Sequence, residues 1–349
     1  MTQVKAYAAE KADKPLAPFK LDRREVGEND VEIEILFCGV CHSDIHTARN
    51  EWGGTMYPVV PGHEIVGKVT KIGSKVSHHK IGDTVGVGCF VDSCGHCSNC
   101  EDDLEQYCEN GNSQTYNSKL QDKKTITYGG YSTHIVVTEK FVLKVSDKLE
   151  LAAVAPLLCA GITTYSPLKH WNCKKGDKVA VVGLGGLGHM AVKLAASMGA
   201  EVTMLSRSPE KEKDAEELGA HHFMLTTNEE NMKKMANSFD LIINTVSAKH
   251  DYNEYLALLR TNGTMVLLGV PPEAIPVGAV NLIFGRRSLV GSLVGGIKET
   301  QEMLDYCAEH NIVSDIELIN IDQINDAYER TLNGDVHYRF VIDMASLKN

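Results

Sequence analysis

No apolar stretch in this sequence approaches the ~18 uncharged residues that a membrane-crossing helix requires. A spanning segment is therefore not expected. The first twenty residues hold no sustained apolar run and carry scattered charges, which argues against a secretory leader and for a cytoplasmic chain. Basic residues are outnumbered: 35 Lys and Arg face 46 Asp and Glu, a net charge of −11. Phosphate backbones need a basic patch, so no nucleic-acid partner is expected. Internal repeats and low-complexity segments are missing, and aromatic residues make up only 6%. What is present is an ordinary globular composition, 43% apolar and 23% charged, in 349 residues. That length suffices for two domains.

Cysteine breaks the ordinary pattern. Four of the ten, Cys94, Cys97, Cys100 and Cys108, follow the spacing Cys-x2-Cys-x2-Cys-x7-Cys. Two-residue gaps let backbone turns aim successive thiolates at one centre, and four sulfurs complete the tetrahedral shell of a structural zinc. Two disulfides are the alternative, but they belong to oxidising compartments. An acidic chain also argues against reading the cluster as a DNA-binding finger. His96, inside the cluster, is expected to be a solvated loop residue. Cys38, Cys89, Cys173 and Cys307 carry no assigned role and are expected as buried free thiols.

Residues 1 to about 150 read as β-rich. Alternations such as Val31-Glu32-Ile33-Glu34-Ile35 and His134-Ile135-Val136-Val137 recur between glycines, as in a barrel of short strands. From about 175 the rhythm changes. Lys178 to Val182 is a continuous strand, a helix pattern runs from Leu187 to Met198, and Gly199 caps it. Glu201 to Leu205, Phe239 to Val246 and Thr264 to Leu268 read as further strands, with a charged helix opening at Ser208-Pro209. Strand alternating with helix predicts a parallel, doubly wound sheet. A helix near Glu299 to Glu309 and a strand near Tyr338 to Ile342 close the chain.

Gly183-Leu184-Gly185-Gly186-Leu187-Gly188 fits G-x-G-x-x-G between a buried strand and a helix, the context of a dinucleotide site. Gly183 permits the tight turn, Gly185 admits the pyrophosphate, and Gly188 lets helix and strand pack closely. The helix N-terminus then offers N–H groups to phosphate. An NAD site places a carboxylate at the end of the second strand. This chain has Ser206-Arg207-Ser208, with Lys211 a turn later. Arginine clamps a 2′-phosphate by charge-assisted hydrogen bonds, so NADP(H) is expected over NAD. The bland alternative is that Arg207 and Lys211 only solvate a helix start.

A second ligand set is scattered: Cys41, His63, Glu64 and Cys159. Two thiolates and one imidazole leave a fourth zinc position open, the mark of a catalytic ion. Glu64 can ligate or stand close by, and Asp44 is expected to accept the distal N–H of His63. Taken singly, each residue has a bland reading as core or surface. Together, Gly39-Val40-Cys41-His42-Ser43-Asp44, Pro61-Gly62-His63-Glu64 and Leu158-Cys159-Ala160-Gly161 carry a resemblance, joined by Gly129-Gly130-Tyr131, the glycine string and Tyr338-Arg339-Phe340-Val341-Ile342. The chain resembles the zinc-dependent medium-chain alcohol dehydrogenases, and more closely the cinnamyl alcohol dehydrogenases and bacterial aldehyde reductases.

The resemblance implies α/β plus β architecture: a GroES-like β-barrel catalytic domain, 1–157 with 297–349, and a Rossmann domain, 158–296. It implies two zinc ions and reversible NADPH-dependent reduction of aldehydes, aromatic or aliphatic and cinnamaldehyde-like, to primary alcohols. Ser43 matches the hydroxyl that takes the alcohol proton, and His46 the histidine that passes it on through the nicotinamide ribose. His42, Thr163, Thr245, Val270 and Arg339 match cofactor contacts, Ser292, Leu293 and Val294 the segment that holds the carboxamide, and Trp52 a pocket aromatic. A homodimer is implied through an edge strand at Arg287 to Val294. Pro271-Pro272 suggests a stiff segment between the domains. The alternatives are a zinc polyol or secondary-alcohol dehydrogenase, and a non-catalytic NADPH sensor on the same fold.

Overall fold

The computed structural model describes residues 2–348. The chain forms two compact units, Met1–Cys159 with Gly295–Asn349, and Ala160–Val294.

The first unit is built on the strand Asp30–Gly39. It pairs antiparallel with Ile65–Ile72 and His134–Thr138, and at its end with Arg339–Asp343. The resulting seven-stranded sheet runs Ile316–Asn320, Arg339–Asp343, Asp30–Gly39, Ile65–Ile72, Thr84–Val87 and Leu143–Lys144, with His134–Thr138 alongside. Val31, Ile33, Ile35, Ile65, Val66, Val85 and Val87 are almost wholly buried between these strands. Burying such β-branched side chains is worth ~1.5–3 kcal/mol each, which makes the sheet a rigid platform. The alternation in 31–35 is only half the account. Glu32 is buried too, and its carboxylate accepts from Thr70 and Lys71.

The second unit is a six-stranded, all-parallel sheet in the order His222–Leu225, Glu201–Ser206, Lys178–Val182, Phe239–Asn244, Leu259–Leu267, Ser288–Gly291. That is the doubly wound dinucleotide order, with its switch point beside Lys178–Val182. The expected strand and helix alternation is observed. Lys178–Val182 leads into the helix Gly188–Ser197, which ends at Gly199 with φ +85°. The charged segment after Ser208 splits into a 3-10 turn, Pro209–Lys211, and the helix Glu212–Glu217. Ser288–Gly291 closes the sheet on one edge, paired only with Leu259–Leu267. Among the described residues no single helix is long and apolar enough to cross a membrane.

Candidate active site and metal centres

Cys41 stands at the head of the helix His42–Ala48. Its N–H donates to the Asp44 carboxylate at 2.9 Å, and the Asp44 N–H donates to its carbonyl at 3.0 Å. The cap fixes the thiol's direction. His63 follows a turn at Gly62, whose φ of +101° is open to glycine and strained for other residues. Glu64 precedes the strand Ile65–Ile72, with its carbonyl accepting from the Gly39 N–H at 2.9 Å. Cys159 ends the 3-10 turn Ala155–Leu158. Four separate elements of the first unit thus supply one site.

The convergence expected of the scattered set is observed. One ligand atom each from Cys41, His63, Glu64 and Cys159 lie within 4.8 Å of one another. The Cys41 and Cys159 sulfurs are 3.9 Å apart. Two sulfurs bound to tetrahedral zinc at ~2.3 Å stand about 3.8 Å apart, so the pair fits the ion. The four-cysteine lobe passes the same test. Cys94, Cys97, Cys100 and Cys108 share a 4.8 Å neighbourhood, and the Cys94 and Cys100 sulfurs are also 3.9 Å apart. All ten cysteines are free thiols, so the disulfide alternative fails. Backbone N–H groups of Cys94 and Glu109 point at the sulfurs of Cys108 and Cys97, each at 3.5 Å, as thiolates require. His96 lies outside the sulfur cluster, exposed, with its Nδ1 against the Cys94 carbonyl.

Charge in the open site is arranged for a cation. The bond with Cys159 holds the Cys41 thiol well below its usual value and pushes Cys159 well above. One thiolate is therefore ready, and a bound dication would deprotonate the other. Burial pushes the His63 imidazole down, but the Asp44 carboxylate 3.3 Å from Nδ1 and the neighbouring sulfurs carry it well above the ordinary histidine value. Burial and the charges of Cys41 and Asp44 lift Glu64 to about 7, against the pull of Arg339. Arg339 is buried and ion-paired with Glu64. The second Glu64 oxygen has no partner and is buried, an orphan that a cation can satisfy. In the lobe, the His96 N–H holds Cys94 down to about 5, and burial pushes Cys100 up to about 11.

Around this set, Ser43 Oγ lies 3.8 Å from the Cys41 sulfur. His46, on the same helix, pairs through Nδ1 with Glu51 and lies against Trp52, ring centroids 4.8 Å apart. Trp52 is 63% exposed. His42 is on the exposed side of the helix.

In the second unit, Gly183 takes φ +88°, and the Thr245 hydroxyl donates to the carbonyls of Val182 and Gly183 at 2.8 and 3.1 Å. Gly185 is exposed, and a Cβ there would meet nothing within 4 Å. This open backbone is a cradle shaped for a phosphate. Gly186 and Leu187 lead into the helix Gly188–Ser197. Ser206 ends its strand buried, and its hydroxyl accepts from the Ser208 N–H at 3.1 Å, a turn that presents Arg207 outward. Lys211 closes the following 3-10 turn. Thr163 is buried in the helix Ala160–His170. Val270 is 79% exposed, and Ser292, Leu293 and Val294 follow the edge strand.

Comparison with known proteins decides the family. Residues 27–147 match the alcohol dehydrogenase GroES-like domain, and residues 186–309 match the zinc-binding dehydrogenase family. The chain belongs to the zinc-binding alcohol dehydrogenases. It is 57% identical, over 100% of both chains, to NADP-dependent alcohol dehydrogenase C 1 of Mycolicibacterium smegmatis. It is 55% identical, over 99% of both, to aldehyde reductase YahK of Escherichia coli. Among solved structures, a cinnamyl alcohol dehydrogenase from Sorghum bicolor superposes with TM-score 0.96 at 45% identity, covering 99% of this chain and 98% of that one.

Sequence reasoning missed several neighbours of the site in this zinc-binding dehydrogenase. Cys89, expected as a plain buried thiol, lies against Cys159 and the Leu158 carbonyl. Tyr116 packs on the His63 ring at 5.7 Å, and the Tyr131 hydroxyl donates to Asp44 at 3.2 Å. Glu51 was passed over beside His46. Only its place five residues beyond a relay histidine hinted at it. The others depend on contacts between distant segments.

Proposed function

We propose that the chain is a zinc enzyme that reversibly reduces aldehydes to primary alcohols with NADPH. The observation that carries the reading is the sulfur pair of Cys41 and Cys159 at tetrahedral spacing beside His63, in a chain 57% identical to an NADP-dependent alcohol dehydrogenase. When bound, zinc supplies a Lewis acid for the carbonyl oxygen and the dinucleotide supplies hydride.

The chain's own groups do the rest. Cys41, His63 and Cys159 would hold the ion, with Glu64 close by, and the ion would polarise the substrate oxygen. Ser43 hands a proton to the nascent alcohol oxygen. His46 resupplies it through the cofactor ribose, an imidazole being able to accept and donate at its two ring nitrogens. Glu51 holds the His46 ring by Nδ1. Gly183, Gly185, Gly186, Leu187 and Gly188 seat the pyrophosphate, Arg207 with Ser206, Ser208 and Lys211 takes the 2′-phosphate, and Thr163, Thr245, Val270, His42 and Arg339 line the rest of the cofactor. Backbone at Ser292, Leu293 and Val294 holds the carboxamide. Trp52, exposed beside His46, offers an aromatic wall to substrate. Cys94, Cys97, Cys100 and Cys108 hold a second, structural zinc.

Catalysis falls to Met1–Cys159 with Gly295–Asn349 and the cofactor to Ala160–Val294, which shifts the expected division at 157/158 and 296/297 by two residues and keeps Cys159 with the other metal ligands. The one-sided edge strand Ser288–Gly291 supports a homodimer formed strand to strand. Ten unpaired thiols support a reducing, cytoplasmic setting. The test is a panel of aromatic and aliphatic aldehydes with NADPH, followed by loss of nicotinamide absorbance, alongside polyols and secondary alcohols with NADP. Turnover of primary aldehydes is expected. Turnover of polyols alone, or cofactor binding with no turnover, overturns the reading.

A further inference from the structure

Asp44 is fully buried, and its carboxylate gathers four polar neighbours. The Cys41 N–H and the Tyr131 hydroxyl reach Oδ2 at 2.9 and 3.2 Å. The Gly62 N–H and the His63 Nδ1 reach Oδ1 at 3.0 and 3.3 Å. Three of these groups belong to the proposed metal ligands or their immediate neighbour. Tyr131 comes from a distant segment, 87 residues from Asp44, and the Tyr116 side chain, from another, also stands against the carboxylate.

That segment is itself pinned. The Gly129, Gly130 and Tyr131 N–H groups donate to the carbonyls of Val60, Gly62 and Pro61 at 2.7, 2.8 and 3.0 Å, beside His63. From behind, the buried Arg23 guanidinium donates to the Tyr128, Gly129 and His134 carbonyls and to the Ser132 hydroxyl, at 2.6 to 2.8 Å. Arginine's fixed fork of donors suits a clamp of this kind.

We propose that Tyr131 is a positioning residue for the catalytic metal: its hydroxyl locks the plane of the Asp44 carboxylate, and so presets Cys41 and His63, while Arg23 holds the segment that carries it. A buried tyrosine needs a partner for its hydroxyl, and any carbonyl would serve. Here the hydroxyl reaches the carboxylate that touches two ligand residues, with the Tyr328 side chain beside it. With four neighbours spread over both oxygens, the carboxylate cannot turn without breaking at least one bond. Partners of this kind commonly change metal affinity by 10–100-fold. The inference rests on the zinc reading of Cys41, His63 and Cys159.

The test follows zinc release from the holoenzyme to a colorimetric chelator. The four-cysteine zinc serves as an internal standard. Tyr131→Phe removes one oxygen and keeps the ring. It is expected to speed release of one zinc about tenfold, to leave the other phase unchanged, and to shift the visible bands of Co2+-loaded protein. In an Asp44→Asn background the same substitution should add less than about twofold, because coupled residues are not additive. Arg23→Lys keeps the charge, leaves Tyr131 intact and should speed the same phase by a smaller factor. It carries the test if Tyr131→Phe fails to fold. Unchanged release in these variants overturns the proposal, as does an acceleration undiminished by Asp44→Asn, which would mean packing alone. A holoenzyme with only one zinc, held by the four cysteines, overturns the metal-site reading and the proposal together.

Discussion

Gly188 faces Gly183 so closely that a Cβ on Gly188 would lie 1.9 Å from the Gly183 carbonyl oxygen. The helix Gly188–Ser197 can approach the strand Lys178–Val182 only because that atom is missing. Gly185, two residues past Gly183, has open space instead. The two glycines therefore predict opposite phenotypes. Gly188→Ala should destabilise the nucleotide unit by about 1–3 kcal/mol, the ordinary cost of overpacking, read by thermal or urea unfolding without cofactor. Gly185→Ala should leave unfolding unchanged and weaken NADPH binding at least about tenfold, since the added methyl occupies space the pyrophosphate needs. Unchanged NADPH affinity in Gly185→Ala would remove the phosphate from that loop.

Arg207 is exposed just past the buried Ser206, on the turn closed by the Ser208 N–H. No acidic side chain stands at this strand end, and Glu201 is engaged with His222 at the other. Arg207→Asp should lower the NADPH-to-NADH ratio of kcat/KM by about 100-fold or more, combining a lost charge-assisted bond with a repelled phosphate. Steady-state rates with both cofactors measure it. An unchanged ratio would show that Arg207 only solvates the helix start.

Cys159 is the one sulfur of the open site that comes from beyond residue 150, and it meets Cys41 across 118 residues. Cys159→Ser replaces a soft ligand with a poor one. The expected result is a fall in zinc content from two ions to one and a loss of at least about 100-fold in kcat/KM, with near-normal thermal unfolding. Elemental analysis and activity check it together. Full activity with one zinc would remove the Lewis acid from the mechanism.

What the sequence made legible, and what it did not, follows from where each signal lives. The lobe was legible because its four cysteines are neighbours in the chain, and their spacing alone dictates convergence. The open site was legible because thiol and imidazole carry their chemistry in their residue type. The strand His222–Leu225 was not, since it is short and Met224 is its one buried residue, leaving no period to read. Arg339 was legible as part of a matched motif, but its pairing with Glu64 at a sequence distance of 275 was not. Tyr131 was visible as part of a glycine-rich motif, but its reach to Asp44 exists only once two loops are pinned together. Contacts across the fold leave no trace in local pattern.

The four-cysteine lobe reaches beyond its own residues. Glu105, nearly fully buried, accepts from the Ile297 N–H at 3.2 Å, and Asp103 pairs with Lys298 at 2.9 Å, so the lobe caps the helix Ile297–His310. A carboxylate at a helix N-terminus is favourable, but here it depends on the metal that folds the lobe. Cys100→Ser should release one zinc and cost more than about 4 kcal/mol, the range reserved for lost metals. That corresponds to a fall in apparent Tm of roughly 8–16 °C. Differential scanning with zinc analysis reads both. A zinc-free lobe at unchanged Tm would make the cluster dispensable.

Asp30 supplies one pH-dependent contribution to stability. Burial pushes its carboxyl up, but the Arg24 guanidinium and the Gly27 N–H, the latter at 2.7 Å, outweigh it and hold the group below its usual value. The folded state thus binds the Asp30 proton less readily than the unfolded chain does. Its stabilisation is complete above about pH 4, the unfolded value, and is lost as pH falls through the lower folded value. Arg24 is about a third exposed, so solvent screens the pair and the effect at pH 7 should be modest, about 1 kcal/mol. Asp30→Asn should therefore be less stable than the parent at pH 7, and the gap should close as pH falls below 4. Urea unfolding at pH 7, 5, 4 and 3 measures it. A gap that widens on acidification would reverse the sign and remove Arg24 as the cause.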